Sequence, residues 1–436
     1  MKIILLSGGS GKRLWPLSNE IRSKQFVKIF RDGDEYESML QRTFRQISTI
    51  PAQISVTVST SKAQAKILRK YIPADFDVDI SAEPCRRNTF PAIALTAAYL
   101  RDVKKISADD SIVICPVDPY VDDDFFSHFK ILSDLAQNSA ANLILLGINP
   151  TYPSEKYGYI IPASKDKVSD VVEFKEKPNL ATAKKYIELG GLWNGGVFAC
   201  KISYVLEKAR EILKTDSYDE LLKNYSSFPD ISFDYAVVER EKNIKVVRYV
   251  GEWKDVGTWN TLTDVMTEKS IGNVYLDNTC KNSHVVNEMD TPIIAMGLKD
   301  IVVAASPDGI LVADKIQSVY MKPLVEKIHE IRFAEKSWGS FTVIDADEKS
   351  LTVKIILNAG HKMNYHSHER RDEVWTIVKG NGLVTLDGEV KRVGVGDVIE
   401  IPVGVKHTIF AETNLKIIEV QLGDDISVDD KIVASS

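Results

Sequence analysis

A glycine-rich loop close to the start of the chain has the composition of a phosphate-binding loop. Its glycines lie at positions 8, 9 and 11, directly after the short apolar run of residues 2–6. Glycine has no Cβ, so a phosphate can approach the backbone N–H groups of such a loop closely. Arg13 and Lys24 follow with positive charge. The apolar run is therefore predicted to be the first strand of a nucleotide-binding sheet, and the loop is predicted to hold phosphate groups.

The spacing excludes two common phosphate loops. A Walker loop needs Ser or Thr after its Lys, but Lys12 is followed by Arg13, and Leu6 stands where the earlier Gly belongs. A dinucleotide loop read from Gly9 would have its third Gly at Leu14. The loop therefore belongs to another class of nucleotide site.

A second group of residues that could take part in chemistry lies in the last hundred residues. Four of the seven histidines fall there, namely His361, His366, His368 and His407. Strand alternation places His366 and His368 on one face, and Glu373 and His407 on neighbouring strands would reach the same cavity. Three imidazoles and one carboxylate suit a divalent transition metal, and Zn, Fe, Mn, Co and Ni all remain open.

Two further places follow apolar strands, where ligands of α/β sheets bind. Asp118 follows the run of residues 112–115, and a motif of acidic, basic and amide residues begins at Glu83. At each place the residues could instead have a purely structural role, without binding a ligand. An Asp after a strand often forms a turn, and Asn88 or Thr89 can cap a following helix that has Pro91 in its first turn.

The elements that must position these residues can be read from hydrophobic periodicity. Apolar strands alternate with amphipathic stretches from residue 2 to about residue 269, which predicts a mostly parallel α/β sheet. Short apolar runs between Asn, Asp and Gly predict a small all-β segment over residues 272–322, and residues 324–332 are predicted to form a connecting helix. The predicted strands include residues 55–59, 111–115, 143–148 and 245–249, and the predicted helices include residues 91–103 and 181–188.

The C-terminal hundred residues read as an antiparallel β-barrel. Alternating strands begin near residue 336, and Gly-rich hairpins are predicted at residues 379–382 and 386–389. This barrel would carry the histidines.

Composition narrows the class of protein. A length of 436 residues implies two or three domains, and 44% hydrophobic with 27% charged residues is ordinary for a globular protein. The net charge of −6 gives no sign of a nucleic-acid surface. The four cysteines show no CxxC pair, and no run reaches the roughly 18 apolar residues of a membrane span. These features predict a cytoplasmic protein without a membrane or nucleic-acid partner.

The glycine loop also resembles a known signature. Gly8-Gly-x-Gly11-x-Arg13-Leu-Trp-Pro-Leu-Ser with a downstream Lys24-Gln-Phe resembles that of sugar-nucleotide pyrophosphorylases, most closely the mannose-1-phosphate guanylyltransferases. Glu83-Pro-x-x-Arg87-Asn-Thr89 resembles the guanine-side motif of the same family. The histidine spacing resembles that of cupins. A guanylyltransferase fused to a cupin is similar to the bifunctional type II phosphomannose isomerase/guanylyltransferases of bacterial polysaccharide pathways.

The resemblance implies a fold and three domains. The expected fold is α/β, with a Rossmann-like nucleotidyltransferase domain of GT-A-like mixed sheet over residues 1–268. A short left-handed β-helix-like linker domain over residues 269–330 and a cupin β-barrel over residues 331–436 follow. The linker is expected to serve packing or dimer contact, without a part in catalysis, and a homodimer is expected.

The resemblance also implies roles for individual residues. Arg13, Lys24, Asp118 and Asp255 are expected to be catalytic, and the two aspartates are expected to bind Mg²⁺. The nucleotide is expected to contact Ser7, Gly8, Gly9, Gly11, Lys12, Glu83, Arg87, Asn88 and Thr89. The sugar phosphate is expected to contact Tyr157, Gly158, Glu176, Lys177, Asn194 and Asp234. The expected ligands of the cupin metal are His366, His368, Glu373 and His407.

The implied reaction joins GTP and α-D-mannose 1-phosphate to give GDP-mannose and pyrophosphate. The implied cupin reaction interconverts mannose 6-phosphate and fructose 6-phosphate. Two alternatives remain open: the cupin is a non-catalytic metal-binding, sugar-binding or structural module, or the transferase uses another hexose or heptose 1-phosphate.

The chain departs from the family pattern at several positions. Lys12 and Ser23 stand where Thr and Pro are usual, Arg86 replaces a Gly, and Pro119 replaces a His. In the cupin, His366 replaces a Gln, and two usual histidines are Glu369 and Arg370. These cupin changes keep the metal set but put the isomerase activity in question.

Overall fold

A computed structural model of the chain describes residues 1–9, 12–19, 21–74, 76–328, 331–424, 426 and 430–433. Gly11, one of the expected nucleotide contacts, lies outside the described residues. The chain divides into two compact units. The first holds the described residues up to Gly9 and Ser23–Thr267, and the second holds Lys12–Arg22 and the described residues from Glu268 onward.

The first unit alternates strands and helices in chain order. Its strands are β1 (Lys2–Ser7), β2 (Lys28–Asp32), β3 (Glu35–Ser38), β4 (Ser55–Ser61), β5 (Val78–Glu83), β6 (Ser111–Pro116), β7 (Pro119–Val121), β8 (Leu143–Ile148), β9 (Tyr159–Pro162), β10 (Val168–Lys175), β11 (Leu192–Lys201), β12 (Ile244–Tyr249) and β13 (Trp253–Asp255). Its α-helices are α1 (Met39–Ser48), α2 (Lys62–Leu68), α3 (Thr89–Asp102), α4 (His128–Asn138), α5 (Leu180–Glu188), α6 (Ile202–Leu213), α7 (Tyr218–Asn224), α8 (Phe233–Ala236) and α9 (Trp259–Thr263). Short 3-10 helices span Lys24–Phe26, Phe125–Ser127, Tyr225–Ser227 and Val238–Arg240.

Nine of these strands form one mixed sheet in the order β5-β4-β1-β6-β11-β8-β12-β10-β9. The first four are mutually parallel, with Ile4 of β1 opposite Thr57 on one side and Ile114 on the other. Their carboxyl ends therefore share one edge, where the chain continues into the glycine loop, the Glu83 motif and Asp118. The strands predicted from the sequence in this unit are confirmed, with the same bounds for residues 143–148 and extensions of one or two residues for the others. The sheet is mixed rather than mostly parallel because β11 runs antiparallel to both neighbours, β6 and β8.

The helices follow local sequence signals. Asn88 caps α3, its side chain accepting a hydrogen bond from the Thr89 N–H, so the helix begins two residues before the predicted start at Pro91. Most of α3 is buried against the sheet, because alanines and large apolar residues surround it on every face. The predicted second helix is confirmed as α5, which Asn179 caps through the Thr182 N–H.

Two irregularities shape the edge of this sheet. Between Asn194 and Phe198 the register of β11 against β8 shifts, and Gly196 has φ 72°. A bulge of this kind re-aims the side chains beside it. A separate two-stranded ribbon pairs β7 with β13 and sets Asp255 opposite Pro119, next to Asp118.

The second unit is built almost wholly of strands. They are β14 (Ser270–Gly272), β15 (Val274–Leu276), β16 (His284–Asn287), β17 (Ile293–Ala295), β18 (Ile301–Ser306), β19 (Gly309–Asp314), β20 (Phe333–Lys336), β21 (Gly339–Asp347), β22 (Ser350–Leu357), β23 (His366–His368), β24 (Asp372–Lys379), β25 (Gly382–Leu386), β26 (Glu389–Val393), β27 (Val398–Ile401), β28 (His407–Ala411), β29 (Leu415–Leu422) and β30 (Lys431–Val433). Its helices are α10 (Lys322–Val325) and the 3-10 turns Lys12–Leu14 and Gln317–Tyr320.

The short strands of residues 270–306 stack in parallel, as expected for a β-helix-like segment. β14, β16 and β18 form one parallel stack and β15 pairs with β17 in another. Each coil of such a structure buries a few apolar residues between the stacks, here Val285, Ala295 and Val303.

The C-terminal strands form the predicted antiparallel barrel. One sheet has the order β20-β21-β22-β29-β24-β27 and the other β26-β25-β28-β23-β30. Inward residues of both sheets, including Trp375, Ile377, Ile409 and Ile417, make one apolar core. The hairpin predicted at residues 386–389 is confirmed: Asp387 and Gly388, both with positive φ, join β25 to β26.

Two sequence predictions in this unit are wrong. Of the described residues in the range 324–332, where a connecting helix was expected, only 324 and 325 are helical, as the end of α10. The N–H groups of Arg332 and Phe333 instead donate to the carboxylate of Asp308. Residues 379–382 are not a hairpin. β24 and β25 pair with strands of different sheets, so this connection crosses the barrel from one sheet to the other.

Among the described residues, the four cysteines form no disulfide. None of the described helices is both long and apolar enough to cross a membrane.

Candidate functional site

A cleft of about 380 Å³ lies in the first unit, and residues from six separate segments line it. These segments are loops and strand ends that the sheet brings together. The lining residues are Pro116, Asp118, Pro119, Lys156, Tyr157, Gly158, Glu176, Lys177, Asn194, Gly195, Gly196, Asp234, Trp253 and Asp255. Both expected Mg²⁺ ligands and all six expected sugar-phosphate residues are therefore in one cleft.

At one end of the cleft, two acidic side chains lie close to a lysine. Lys24 Nζ lies 2.7 Å from Asp118 Oδ2. A Cβ added at Gly257 would lie 2.9 Å from Asp255 Oδ1 and 3.6 Å from Lys24 Nζ, so both side chains lie beside that glycine. Burial acts to raise the pKa of Asp118, but the ion pair and hydrogen bond with Lys24 outweigh it, and the pKa lies below its usual value. Asp118 is thus ionised at neutral pH.

These two carboxylates fit a hard divalent cation. The β7–β13 ribbon brings them together, because Asp255 pairs with Pro119 and Asp118 directly precedes Pro119. Carboxylate oxygens are the ligands that Mg²⁺ prefers, with substrate phosphates and waters completing its shell. The donor set is small and open, as expected for a cation that also binds substrate.

The other end of the cleft presents hydrogen-bonding groups to a polar ligand. Asn194 Nδ2 donates to Asp234 Oδ1 at 2.6 Å, and Lys177 Nζ pairs with Glu176 Oε1 at 2.7 Å. The second oxygen of Glu176, Oε2, is buried without a hydrogen-bond partner among the described residues. Burial and the nearby charge of Glu176 raise the pKa of Asp234 to about 6. A buried acceptor and a carboxylate of raised pKa suit a ligand that brings O–H donors.

Aromatic rings and a glycine shape the wall next to these carboxylates. Tyr157 packs against Trp193 and Trp253, with ring centroids 5.0 and 5.3 Å away. Gly158 leaves space for Glu176, because a Cβ at Gly158 would lie 2.5 Å from Glu176 Oε2. The indole Nε1 of Trp253 is buried without a hydrogen-bond partner among the described residues.

The glycine loop leaves β1 at the carboxyl edge of the sheet. Ser7 is fully buried and its hydroxyl accepts a hydrogen bond from Gln25 Nε2. A Cβ at Gly8 or Gly9 would meet no atom within 4 Å, so these glycines face open space rather than packed protein. Gly9 has φ 104°, which other residues rarely adopt, and Ser23 donates to its carbonyl. Lys12 and the exposed Arg13 belong to the second unit.

The Glu83 motif lies at the same sheet edge but does not line the cleft. Tyr225 donates to Glu83 Oε2 at 2.7 Å, and burial raises the pKa of Glu83. Arg87 donates to the Ser226 carbonyl, and Thr89 Oγ1 accepts from the Phe233 N–H. The helix-capping role that the sequence left open for Asn88 is present.

The cupin contains a second candidate centre, a cluster of buried imidazoles. One ring nitrogen from each of His366, His368 and His407 lies within 4.8 Å of the other two. The Nδ1 atoms contact backbone carbonyls of Asn364, Asp430 and Val405, which leaves each Nε2 facing the cluster. Burial lowers the pKa of His366 to about 3, so this imidazole is neutral at pH 7. Neutral imidazoles oriented in this way fit a divalent transition metal.

Glu373 contacts two of these imidazoles. Its Oε1 lies 3.0 Å from His368 Nε2 and its Oε2 lies 3.4 Å from His407 Nε2. Burial acts to raise the pKa of Glu373, but the adjacent His368 and His407 outweigh it and lower the pKa. Arg371 also contacts Glu373 Oε1 at 3.0 Å and places Nη2 3.1 Å from His368 Nε2. A guanidinium therefore stands beside an expected ligand nitrogen.

Sequence reasoning missed a polar group on the inner wall of the barrel. Glu419 and Gln421 lie on β29 opposite Trp375 and Glu373, and Gln421 donates to Glu419 at 2.5 Å. Burial and the charge of Glu373 raise the pKa of Glu419 to about 8. Strand alternation could have revealed this group. Glu419 and Gln421 lie two and four positions after the buried Ile417, so all three side chains are on the same face of β29.

Two other contacts could not be found from sequence. Tyr225 reaches Glu83 across 142 residues, and Asp430 binds the backbone N–H groups of Glu369 and Arg370. Only the fold brings these segments together.

Family models match both parts of the chain. A nucleotidyl transferase model matches residues 2–270, and a model described as mannose-6-phosphate isomerase C-terminal matches residues 325–435.

Similar proteins extend over nearly the whole chain. A mannose-1-phosphate guanylyltransferase of Salmonella montevideo is 32% identical over 98% of this chain and 97% of its own length. The xanthan biosynthesis protein XanB of Xanthomonas campestris pv. campestris (strain B100) is 31% identical over 98% of this chain and 96% of its own length. A crystal structure of mannose-1-phosphate geranyltransferase from Thermus thermophilus is 28% identical, covers 76% of this chain and 99% of that chain, and has a TM-score of 0.62. This chain belongs to the mannose-1-phosphate guanylyltransferase family, in the form that carries a mannose-6-phosphate isomerase-type cupin domain after its nucleotidyltransferase domain.

Proposed function

We propose that the first unit joins GTP and α-D-mannose 1-phosphate to give GDP-mannose and pyrophosphate. The observation that carries this proposal is the cleft, in which Asp118 and Asp255 lie at one end and Glu176, Asn194 and Asp234 at the other. A cation site for phosphates beside hydroxyl acceptors suits a reaction between a nucleoside triphosphate and a sugar phosphate.

In the proposed reaction a phosphate oxygen of mannose 1-phosphate attacks the α-phosphorus of GTP. A P–O bond forms there, the bond from the α-phosphorus to the bridging β-phosphate oxygen breaks, and its electron pair leaves with pyrophosphate. No proton needs to move in this step. The chain therefore contributes positioning and charge neutralisation, and the loss of one such group typically costs about 3 kcal/mol of transition-state stabilisation.

The chain's own cations and carboxylates have defined parts in this reaction. Asp118 and Asp255 would hold Mg²⁺, which when bound offsets the charge on the phosphate oxygens. Lys24, already paired with Asp118, and Arg13 would offset charge on the triphosphate. Lys177 would orient the attacking phosphate.

On the sugar side, the orphaned Glu176 Oε2 and the carboxylate of Asp234 would accept hydrogen bonds from ring hydroxyls. Asn194 holds Asp234 in place by donating to it. These acceptors fit any hydroxyl-rich ring, so the choice of mannose rests on family membership.

On the base side, Glu83 would accept from the N–H groups of guanine, which adenine does not offer in the same pattern. Tyr225 leaves Glu83 Oε1 for that contact, because it bonds Oε2. The remaining nucleotide contacts are proposed for Ser7, Gly8, Gly9, Gly11, Lys12, Arg87, Asn88 and Thr89.

A substrate panel tests this proposal. Purified protein with Mg²⁺ is given GTP, ATP or UTP with mannose 1-phosphate or another hexose or heptose 1-phosphate, and pyrophosphate release is measured. The highest kcat/KM is expected for GTP with mannose 1-phosphate. Release only with another sugar phosphate would favour the alternative substrate, and release only with ATP or UTP would contradict the assignment of Glu83.

We propose for the cupin the interconversion of mannose 6-phosphate and fructose 6-phosphate. A transition metal, proposed to be one of Zn, Fe, Mn, Co or Ni, would be held by His366, His368, Glu373 and His407, and when bound it polarises sugar oxygens. The observation that favours catalysis over a structural role is the polar inner wall, where the buried Glu419 and Gln421 line a barrel that apolar side chains would otherwise fill.

A coupled isomerase assay separates the two roles of the cupin. The protein is stripped with a chelator, each divalent metal is restored in turn, and fructose 6-phosphate formation is followed. Turnover with at least one metal is expected. Metal binding without turnover for every metal would favour the non-catalytic module.

A further inference from the structure

The segment Lys12–Arg22, called the arm below, continues the glycine loop and carries Lys12 and Arg13, yet it packs within the second unit. Trp15 covers Gly309 so closely that a Cβ there would lie 2.5 Å from the indole ring. Ser306 Oγ donates to the Pro16 carbonyl at 2.7 Å. The β18–β19 hairpin, which sequence analysis placed in the linker domain, thus binds the arm through both packing and a hydrogen bond.

One buried carboxylate is central to this anchorage. Asp308 is 9% exposed, and its Oδ2 accepts from Asn19 Nδ2 of the arm at 2.7 Å. Its Oδ1 accepts from the N–H groups of Arg332 and Phe333 at 2.7 and 2.8 Å. The two oxygens therefore have separate partners: one bonds the arm and the other bonds the chain entering β20.

Asn19 transmits this contact to the backbone of the arm. Its Oδ1 accepts from the N–H groups of Ile21 and Arg22 at 2.9 and 2.7 Å. Its Nδ2, besides bonding Asp308, donates to the Phe333 carbonyl at 3.0 Å. The Asn19 side chain thus has four partners, so its orientation and the positions of the Ile21 and Arg22 N–H groups are fixed together.

The far end of the arm has a second anchor. Arg22 makes a bidentate pair with Glu288, with Nη1–Oε2 and Nη2–Oε1 distances of 2.7 and 2.9 Å. Its Nε lies 3.7 Å from Glu335 Oε1 on β20. Bidentate pairs that are largely buried fix geometry as well as contributing energy.

We propose that Asp308 is a positioning residue for the transferase reaction, acting through Asn19 on the arm, which carries Arg13 and ends at Arg22, two positions before Lys24. This inference rests on the proposed guanylyltransferase function. It assigns to the linker segment a part in catalysis that the sequence analysis did not give it. A displacement of about 1 Å at a catalytic group can cost 10²-fold in rate, so a loosened arm is expected to lower turnover without unfolding the protein.

The decisive variant is Asp308→Asn. The amide can still accept from Arg332 and Phe333, but its NH₂ group would face the NH₂ group of Asn19, so the arm contact alone is broken. Asp300→Asn is the matched control, because Asp300 lies in the same segment and its side chain bonds Asn282 rather than the arm. Pyrophosphate release from GTP and mannose 1-phosphate is measured with both, along with hydrogen exchange of the Ile21 and Arg22 amides.

Asp308→Asn is expected to lower kcat at least tenfold, to speed exchange of both amides, and to leave the cupin's metal content unchanged, whereas Asp300→Asn behaves as wild type. Wild-type kcat in Asp308→Asn would overturn the proposal.

Two further outcomes are informative. Should Asp308→Asn fail to fold, Asn19→Asp sets two carboxylates against each other at the same contact, and an unchanged kcat there overturns the proposal. A wild-type protein that releases no pyrophosphate overturns the proposed function instead. In that case the hydrogen-exchange comparison still tests whether Asp308 anchors the arm. Unchanged exchange of the Ile21 and Arg22 amides in Asp308→Asn would contradict the anchorage.

Discussion

The ammonium of Lys24 lies 2.7 Å from the carboxylate of Asp118, across 94 positions of the chain, at the edge of the sheet where the phosphate loop begins. The pair unites two groups that the sequence suggested separately, a basic residue near a glycine loop and an acid after a strand. It also keeps Asp118 ionised against the effect of burial.

Replacing Lys24 with Met is expected to lower kcat for pyrophosphate release by about 10² to 10³, because one group that offsets phosphate charge is lost. The pKa of Asp118 would rise, since burial raises it and Lys24 would no longer oppose that effect. The acid limb of the pH–rate profile is therefore expected to move to higher pH. A residual activity with an unshifted acid limb would contradict the role of this ion pair.

Replacing Asp234 with Asn is expected to stabilise the ligand-free protein at pH 8. The folded pKa of about 6 is above the usual value of 3.8 by about two units, worth about 3 kcal/mol at most. Because the pKa of this acid is raised in the folded protein, the contribution of Asp234 to the free energy of unfolding is complete below about pH 4. That contribution is lost as the pH rises through 6. The difference in free energy of unfolding between variant and wild type should therefore grow from pH 4 to 6 and then level off. Denaturant unfolding across this range measures it, and a difference independent of pH would count against the assignment.

Replacing Gly158 with Ala is expected to raise KM for the sugar phosphate at least tenfold, with a smaller effect on KM for GTP. The added methyl would lie 2.5 Å from Glu176 Oε2 and 3.0 Å from the Phe174 ring, so Glu176 must move. Gly394→Ala is a suitable control, since a Cβ there meets no atom within 4 Å. Equal changes in both KM values would contradict the placement of the sugar beside Glu176.

Replacing His407 with Gln is expected to reduce the metal content of the purified protein severely, because one of three clustered Nε2 atoms is lost. His361→Gln serves as the control. His361 lies in the same domain but is exposed, and its Nδ1 bonds the Ala359 carbonyl. Metal analysis and pyrophosphate release are measured together, and the transferase rate should not change. Full metal content in His407→Gln would argue against the cluster as a metal site.

Periodicity predicted the parts of the fold that local sequence determines. The buried strands β1, β6 and β8 are short apolar runs without a competing interpretation, and Asn88 marks the start of α3. The histidine pair at positions 366 and 368 could be placed on one face, because strand alternation depends only on neighbours.

Features that depend on distant pairing were not predictable in this way. The bulge after Asn194 arises from pairing with β8, and the crossing after Lys379 depends on which sheet each flanking strand joins. The expected helix over residues 324–332 was wrong, and the Arg332 N–H group instead donates to Asp308, more than twenty positions away. Tyr225 and Asn19 likewise have partners that no local pattern marks.

The central claim is that Asp118 and Asp255 together hold the cation for guanylyl transfer. The most direct measurement is pyrophosphate release from GTP and mannose 1-phosphate by Asp255→Ala, titrated with Mg²⁺ beside the wild-type protein. A fall in kcat of at least 10²-fold, with a higher Mg²⁺ concentration needed for half-maximal rate, is predicted. A wild-type rate with an unchanged Mg²⁺ dependence would contradict the claim.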